Sequence, residues 1–160
     1  MEDIRNESVV GLDTETRPAF TKGESHLPCL AQVATARAVY LFGLRRADAH
    51  GVLKSLLEDA GVAKAGVALA HDLRELKQVF PFGQKNVVEL GTVARHCGYE
   101  QTGLRNLAAI FLGIRIPKGS RTSNWAAERL SQQQITYAAT DAWVCRELFL
   151  RFETLGLFDR

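Results

Sequence analysis

The chain has 160 residues, 46% of them hydrophobic and 24% charged, and a formal net charge of +2. That length can bury a sizeable core within one domain, and so small a charge excludes strong nonspecific adhesion to a polyanion while leaving room for a local basic rim. With neither a run of about 18 apolar residues nor a basic-then-apolar leader pattern, a membrane partner is not expected and the chain is read as cytoplasmic.

Residues 1–7 are polar and are expected to carry little structure. The first strand signal is Val9-Val10-Gly11-Leu12-Asp13-Thr14-Glu15-Thr16, an apolar run ending in two carboxylates. Strand side chains alternate faces, so Asp13 and Glu15 leave the same side. An isolated D-x-E is commonly a solvated pair, but two acids converging at the end of a buried strand repel, and a divalent cation between them removes that repulsion. Partners must come from elsewhere in the chain.

A turn-rich loop over residues 17–25 precedes two further strand signals, at residues 30–35 and 39–42. Val52, Leu53, Leu56 and Leu57 mark a helix over residues 48–59, and the apolar run over residues 65–70 reads as a strand covered on both faces. A helix is expected to start at His71, with Leu73, Leu76 and Phe80 facing inward and Pro81 stopping it. Asp72 then falls at the strand-to-helix junction, where Asp is a preferred N-cap. His71 has no second histidine at metal-ligand spacing and reads as a surface or packing group. Cys29, Cys97 and Cys145 are odd in number and far apart, which supports neither a disulfide framework nor a zinc site. They read as small buried or half-buried residues.

Val87-Val88 is a short strand signal, followed by helices over residues 90–97 and 104–112. The loop Pro117-Lys118-Gly119-Ser120-Arg121-Thr122-Ser123 carries two basic residues among small ones and is either a solvated loop or a phosphate contact. Trp125 behind it reads as a core anchor, with base stacking as the alternative. The last helix opens on the capping box of Ser131 and Gln134, and Ile135, Ala138, Ala142, Cys145, Phe149 and Phe152 trace its apolar stripe. Tyr137 and Asp141 stand one turn apart on a different face, so a phenol and a carboxylate are presented together. The alanines around them, Ala138, Ala139 and Ala142, predict close packing there.

These residues together carry a resemblance over nearly the whole chain. It resembles the DEDD-type 3′-to-5′ exonuclease domains of the ribonuclease D and Werner-exonuclease kind. Asp13-Thr14-Glu15 is similar to the family's first motif, Asp72 in Ala70-His71-Asp72-Leu73-Arg74-Glu75-Leu76 to the second, and Tyr137-Ala138-Ala139-Thr140-Asp141-Ala142 to the third in its tyrosine-bearing form. The stretch from Lys118 through Ser123-Asn124-Trp125 to Leu130-Ser131-Gln132 resembles the segment preceding that third motif. The resemblance implies an α/β fold, the ribonuclease H-like mixed five-stranded sheet with helices on both faces, its first three strands antiparallel. Residues 1–160 are read as a single exonuclease domain.

The resemblance further implies hydrolysis of nucleic acid, DNA or RNA, from the 3′ end to nucleoside 5′-monophosphates with two divalent cations, Mg²⁺ or Mn²⁺. Asp13 would bridge both ions, Glu15 and Asp141 would complete the site of one, and Asp72 would support the other through water. Tyr137 would orient or help deprotonate the attacking water, positioning being the better-founded role for a phenol, and Thr16, Lys118 and Arg121 would contact the substrate. The competing readings are a catalytically silent nucleic-acid-binding module and a phosphoesterase acting on small nucleotides. Two departures stand out. The sequence stops soon after the third-motif helix, without the helical domain found behind ribonuclease D catalytic domains, and Glu89 stands where many relatives carry aspartate and is expected to serve helix capping.

Overall fold

The computed structural model describes residues 2–159; Met1 and Arg160, the ends of the expected domain, lie outside them. A five-stranded sheet is built from β1 (Val9–Glu15), β2 (Leu30–Ala34), β3 (Val39–Gly43), β4 (Ala63–Gly66) and β5 (Val87–Glu89), in the order β3-β2-β1-β4-β5. The three-stranded meander is antiparallel, whereas β4 runs parallel to β1 and β5 parallel to β4. The parallel half needs crossovers, which are α2 (Ala47–Glu58) and α3 (Leu69–Leu76).

Alternation along β1 divides the core into two layers. Val10 and Leu12 meet Leu53 and Leu57 of α2 and Leu69, Leu73 and Leu76 of α3. On the other face Val9 packs with Leu90 of α4 (Leu90–His96), Leu107 of α5 (Leu104–Leu107), and Val144, Leu148 and Phe152 of the long helix α6 (Gln132–Thr154). The capping box that starts α6 is formed as expected: Gln134 N–H donates to Ser131 Oγ at 3.1 Å, and Ser131 N–H donates to Gln134 Oε1 at 2.9 Å. Among the described residues no helix is long and apolar enough to cross a membrane.

Several sequence expectations shift. The strand expected over residues 65–70 is β4, which starts at Ala63 and ends at Gly66, so Leu69 and Ala70 are already helical. Lys64 hid the true start: it is wholly buried, and its Nζ donates to the carbonyls of Asp59 and Val62, a local pairing that hydropathy cannot show. Asp72 therefore sits inside the first turn of α3 and is not its N-cap; that position belongs to Ala68. The helix expected over residues 104–112 is α5 followed by a π-helical turn, Ala108–Leu112. Ile135 leaves the α6 stripe and is 36% exposed, while Val144 and Leu148 are buried in its stead.

The polar N-terminal segment is structured as well. A short helix α1 (Glu2–Arg5) buries Ile4, Asp3 accepts from the Thr35 and Tyr40 hydroxyls at 2.7 and 2.9 Å, and Glu7 accepts from Arg146 of α6 at 2.9 Å. Polar side chains here are the anchors, so polarity alone misread the segment. The three cysteines are free, with Cys145 buried and Cys29 and Cys97 half-buried, as the sequence suggested.

Candidate active site

The carboxyl ends of β1 and β4 lie side by side, the end of a parallel sheet at which ligands are ordinarily taken up. Asp13 and Glu15 point from β1 toward α6, and Asp141 points back from α6. One carboxylate oxygen from each of the three lies within 4.8 Å of the other two. Close approach of helix and strand makes this possible: Gly11 offers no side chain under α6, and Ala138 and Ala142 are fully buried against the sheet. Asp72 arrives from the other layer. It is not in that three-acid cluster, but its charge acts on Asp13 and Glu15, and the Thr14 hydroxyl favours its ionised form.

Burial first, and then the charges of Glu15, Asp141 and Asp72, hold the Asp13 carboxyl well above the usual carboxylate range. Burial and then Asp141 push Glu15 up to about 8, although the Gln32 amide and Arg121 oppose the shift. Asp141 is pushed up to about 6 by burial against the pull of Arg105, and its Oδ1 is buried with no hydrogen-bond partner among the described residues. Burial likewise pushes Asp72 to about 6. A set of hard, mutually repelling carboxylate oxygens, one of them orphaned, fits a hard divalent cation such as Mg²⁺ or Mn²⁺.

The consequence for stability has a definite sign. All four acids have folded pKa values above their unfolded ones, so the folded state holds more protons and stability falls as pH rises from about 4 to about 8. In EDTA the melting temperature is expected to drop between pH 5 and pH 8, and Mg²⁺ is expected to restore it at pH 8 with little effect at pH 5. A metal-free melting temperature that rises over this interval would contradict the cluster's electrostatics.

Tyr137 is half-buried one turn before Asp141, its ring 5.9 Å from that of buried Trp125. Trp125 thus serves as the anchor the sequence suggested, its indole N–H donating to Arg121 O at 3.3 Å. Burial, with Asp141 and Glu15 close by, pushes the Tyr137 phenol above its ordinary value, while Arg105 pulls it down. Beside the ring opens a cavity of about 550 Å³ lined by Pro117, Lys118, Gly119, Gln132, Thr136 and Tyr137. Lys118 lines this cavity, and Arg121 is close enough to Glu15 to lower its pKa. Thr16 follows β1 directly and is half-buried. His71 is a surface residue paired with Arg74 at 2.8 Å.

Sequence reading missed two neighbours of these acids. Gln32, wholly buried opposite Asp13 in the ladder, donates from Nε2 to Glu15 Oε1 at 3.2 Å and to Ala138 O at 3.4 Å, tying β1 to α6. A lone polar residue in the apolar run Leu30–Ala34 was the available signal. Arg105 of α5 donates to Pro117 O at 3.3 Å and is the cation acting on both Asp141 and Tyr137; nothing in its local sequence marks it. Glu89, expected to serve helix capping, makes no capping bond to α4, but its Oε1 accepts from the N–H of Ala68, the N-cap residue of α3, at 2.6 Å.

The comparisons with known proteins agree with this geometry. The model of the 3′-5′ exonuclease family matches residues 1–156. The bifunctional 3′-5′ exonuclease/ATP-dependent helicase WRN of Mus musculus is 32% identical over 155 residues, which is 92% of this chain and 11% of that protein. Ribonuclease D of Gluconacetobacter diazotrophicus is 31% identical over 170 residues, covering 99% of this chain and 42% of the relative. The chain thus spans less than half the length of either curated relative. The crystal structure of the Aedes aegypti Nibbler EXO domain superposes with a TM-score of 0.85 at 22% identity, covering 99% of this chain and 84% of that one, and shares the ribonuclease H-like mixed sheet. With nearly its whole length matched by the family model and its fold shared, this chain belongs to the 3′-5′ exonuclease family.

Proposed function

We propose that this chain removes nucleotides from the 3′ end of a nucleic-acid strand as nucleoside 5′-monophosphates, using two divalent cations held by Asp13, Glu15, Asp72 and Asp141. The observation that carries the reading is the convergence of Asp13, Glu15 and Asp141 within 4.8 Å, with every carboxyl held above its ordinary pKa. Such ions, when bound, supply charge neutralisation at the phosphoryl oxygens and a nucleophile at neutral pH. A phenol with an ordinary pKa near 10 is protonated at neutral pH, and burial moves that of Tyr137 further up, so its hydroxyl would orient the attacking water as a donor. Gln32 fixes the Glu15 carboxylate, Trp125 fixes the Tyr137 ring, and Lys118 and Arg121, with Thr16 at the end of β1, meet the phosphates of the incoming strand.

The test is digestion of short 5′-labelled DNA and RNA single strands with Mg²⁺, with Ca²⁺ and with EDTA. A ladder shortening one nucleotide at a time from the 3′ end, with Mg²⁺ alone, is expected. Binding without product would favour a silent binding module, and turnover of mononucleotides alone a phosphoesterase.

A further inference from the structure

We infer that Glu89 is a positioning residue for Asp72, acting through the backbone of Ala68; this rests on the metal role proposed above for Asp72. Ala68 adopts φ 59° and ψ 28° at the N-cap of α3, a left-handed conformation that an alanine takes only when its surroundings impose it. The alanine has no side chain with which to cap the helix, and no cap bond is made by it. The acceptor for its N–H comes from another strand: Glu89 Oε1 at 2.6 Å. A carboxylate accepting from a backbone N–H forms a charge-assisted bond, and at a helix N-terminus it also meets the positive end of the dipole.

The register explains why Glu89 can reach. It is the last residue of β5 and pairs with Gly66, the last residue of β4, so its side chain needs to span only the two-residue turn after Gly66. Gly66 pins the other side of that turn. A Cβ there would lie 2.6 Å from Leu69 Cγ and 2.7 Å from Leu12 O, so strand end and helix start are packed against each other without slack. Asp72 stands four residues after Ala68, one helical bond away, close enough to the Thr14 hydroxyl of β1 for that group to favour its ionised form. Glu89 and Gly66 together thus fix the direction from which the fourth carboxylate enters. Supporting groups of this kind typically alter metal affinity or activity by about 10- to 100-fold when removed.

The experiment measures Mn²⁺ binding by the EPR signal of the free ion in saturating dTMP, beside Mg²⁺-dependent digestion of a labelled oligonucleotide. Glu89→Ala is expected to weaken the second Mn²⁺ and to raise the Mg²⁺ requirement by about 10- to 100-fold. Glu89→Gln keeps the acceptor oxygen and is expected to stay close to wild type. Ala68→Gly in the Glu89→Ala background frees the left-handed conformation of its Cβ penalty, and both readouts are expected to recover substantially. A merely structural Glu89 would change the melting temperature without this rescue pattern. Wild-type Mn²⁺ binding in Glu89→Ala would overturn the inference, as would loss in Glu89→Gln equal to that in Glu89→Ala, or failure of Ala68→Gly to restore binding in a folded double variant. Asp72→Asn separates the two levels: if it leaves Mn²⁺ binding unchanged, the proposed role of Asp72 fails, whereas weakened binding there with none in Glu89→Ala removes Glu89 alone.

Discussion

Asp13→Asn is expected to lower hydrolysis of a 3′-terminal phosphodiester by about 10³-fold or more, the rate equivalent of losing roughly 4 kcal/mol of transition-state stabilisation. Asp13 stands at the centre of the acidic group, and its carboxyl is raised by burial, Glu15, Asp141 and Asp72 together. Asparagine keeps the volume and one carbonyl oxygen but removes the charge that a bound cation offsets. The same change has the opposite sign for the metal-free fold. With one repelling charge gone, the melting temperature in EDTA at pH 8 is expected to rise, and the gain from adding Mg²⁺ to shrink. Because burial and the neighbouring acids hold the Asp13 carboxyl well above the usual carboxylate range, the difference between the two proteins should narrow as the pH is lowered. Activity assays and melting curves on one preparation therefore report opposite movements from one substitution. A variant that cleaves at the wild-type rate, or that melts lower than wild type at pH 8 in EDTA, would remove Asp13 from the proposed role.

How much of this could be read from the residues depended on whether the determining contact was local. Asp13 and Glu15 share a face because strands alternate, and Tyr137 and Asp141 share one because helices repeat, so both pairs were legible before any tertiary contact was known. The Ser131 cap was legible for the same reason, whereas the mixed sheet with its first three strands antiparallel was legible through the family resemblance. The errors cluster at the link between β4 and α3. There the second residue of the strand is a buried lysine satisfied by Asp59 and Val62 carbonyls, and the helix is preceded by an alanine N-cap whose N–H is met by an oxygen 21 residues further on. The lysine's partners are nearby backbone carbonyls, which side-chain patterning does not show, and the alanine's partner is distant in sequence, so pattern reading moved the strand late and placed Asp72 at a junction it does not occupy. Arg105 was invisible for the same reason: its partners Pro117, Tyr137 and Asp141 all belong to later segments of the chain.

Gly11→Ala is expected to be the most damaging single-methyl change in the sheet, because the added Cβ would lie 1.9 Å from Ala142 O and 2.9 Å from Arg146 N. Both are backbone atoms of α6, so no rotamer can yield; helix and strand must separate along their length. Overpacking a core typically costs about 1 to 3 kcal/mol, and a backbone obstruction belongs at or beyond the upper end. For a chain of this size about 3 kcal/mol corresponds to a fall in melting temperature of roughly 6 to 12 °C. The site is hit as well. Asp13 lies two residues along β1 from Gly11 and Asp141 is adjacent to Ala142, so separating the two backbones widens the 4.8 Å cluster directly. Activity is therefore expected to fall at temperatures where the variant is still folded, and higher Mg²⁺ should not restore it as it would for a simple loss of affinity. Gly51→Ala supplies the contrast, since a Cβ at that position of α2 meets nothing within 4 Å. It is expected to raise stability by about 0.5 to 1 kcal/mol, as alanine does over glycine inside a helix, and to leave activity unchanged. Equal melting temperatures for the two variants would mean that α6 does not rest on β1 at Gly11 and that the approach of Asp141 to Asp13 has another cause.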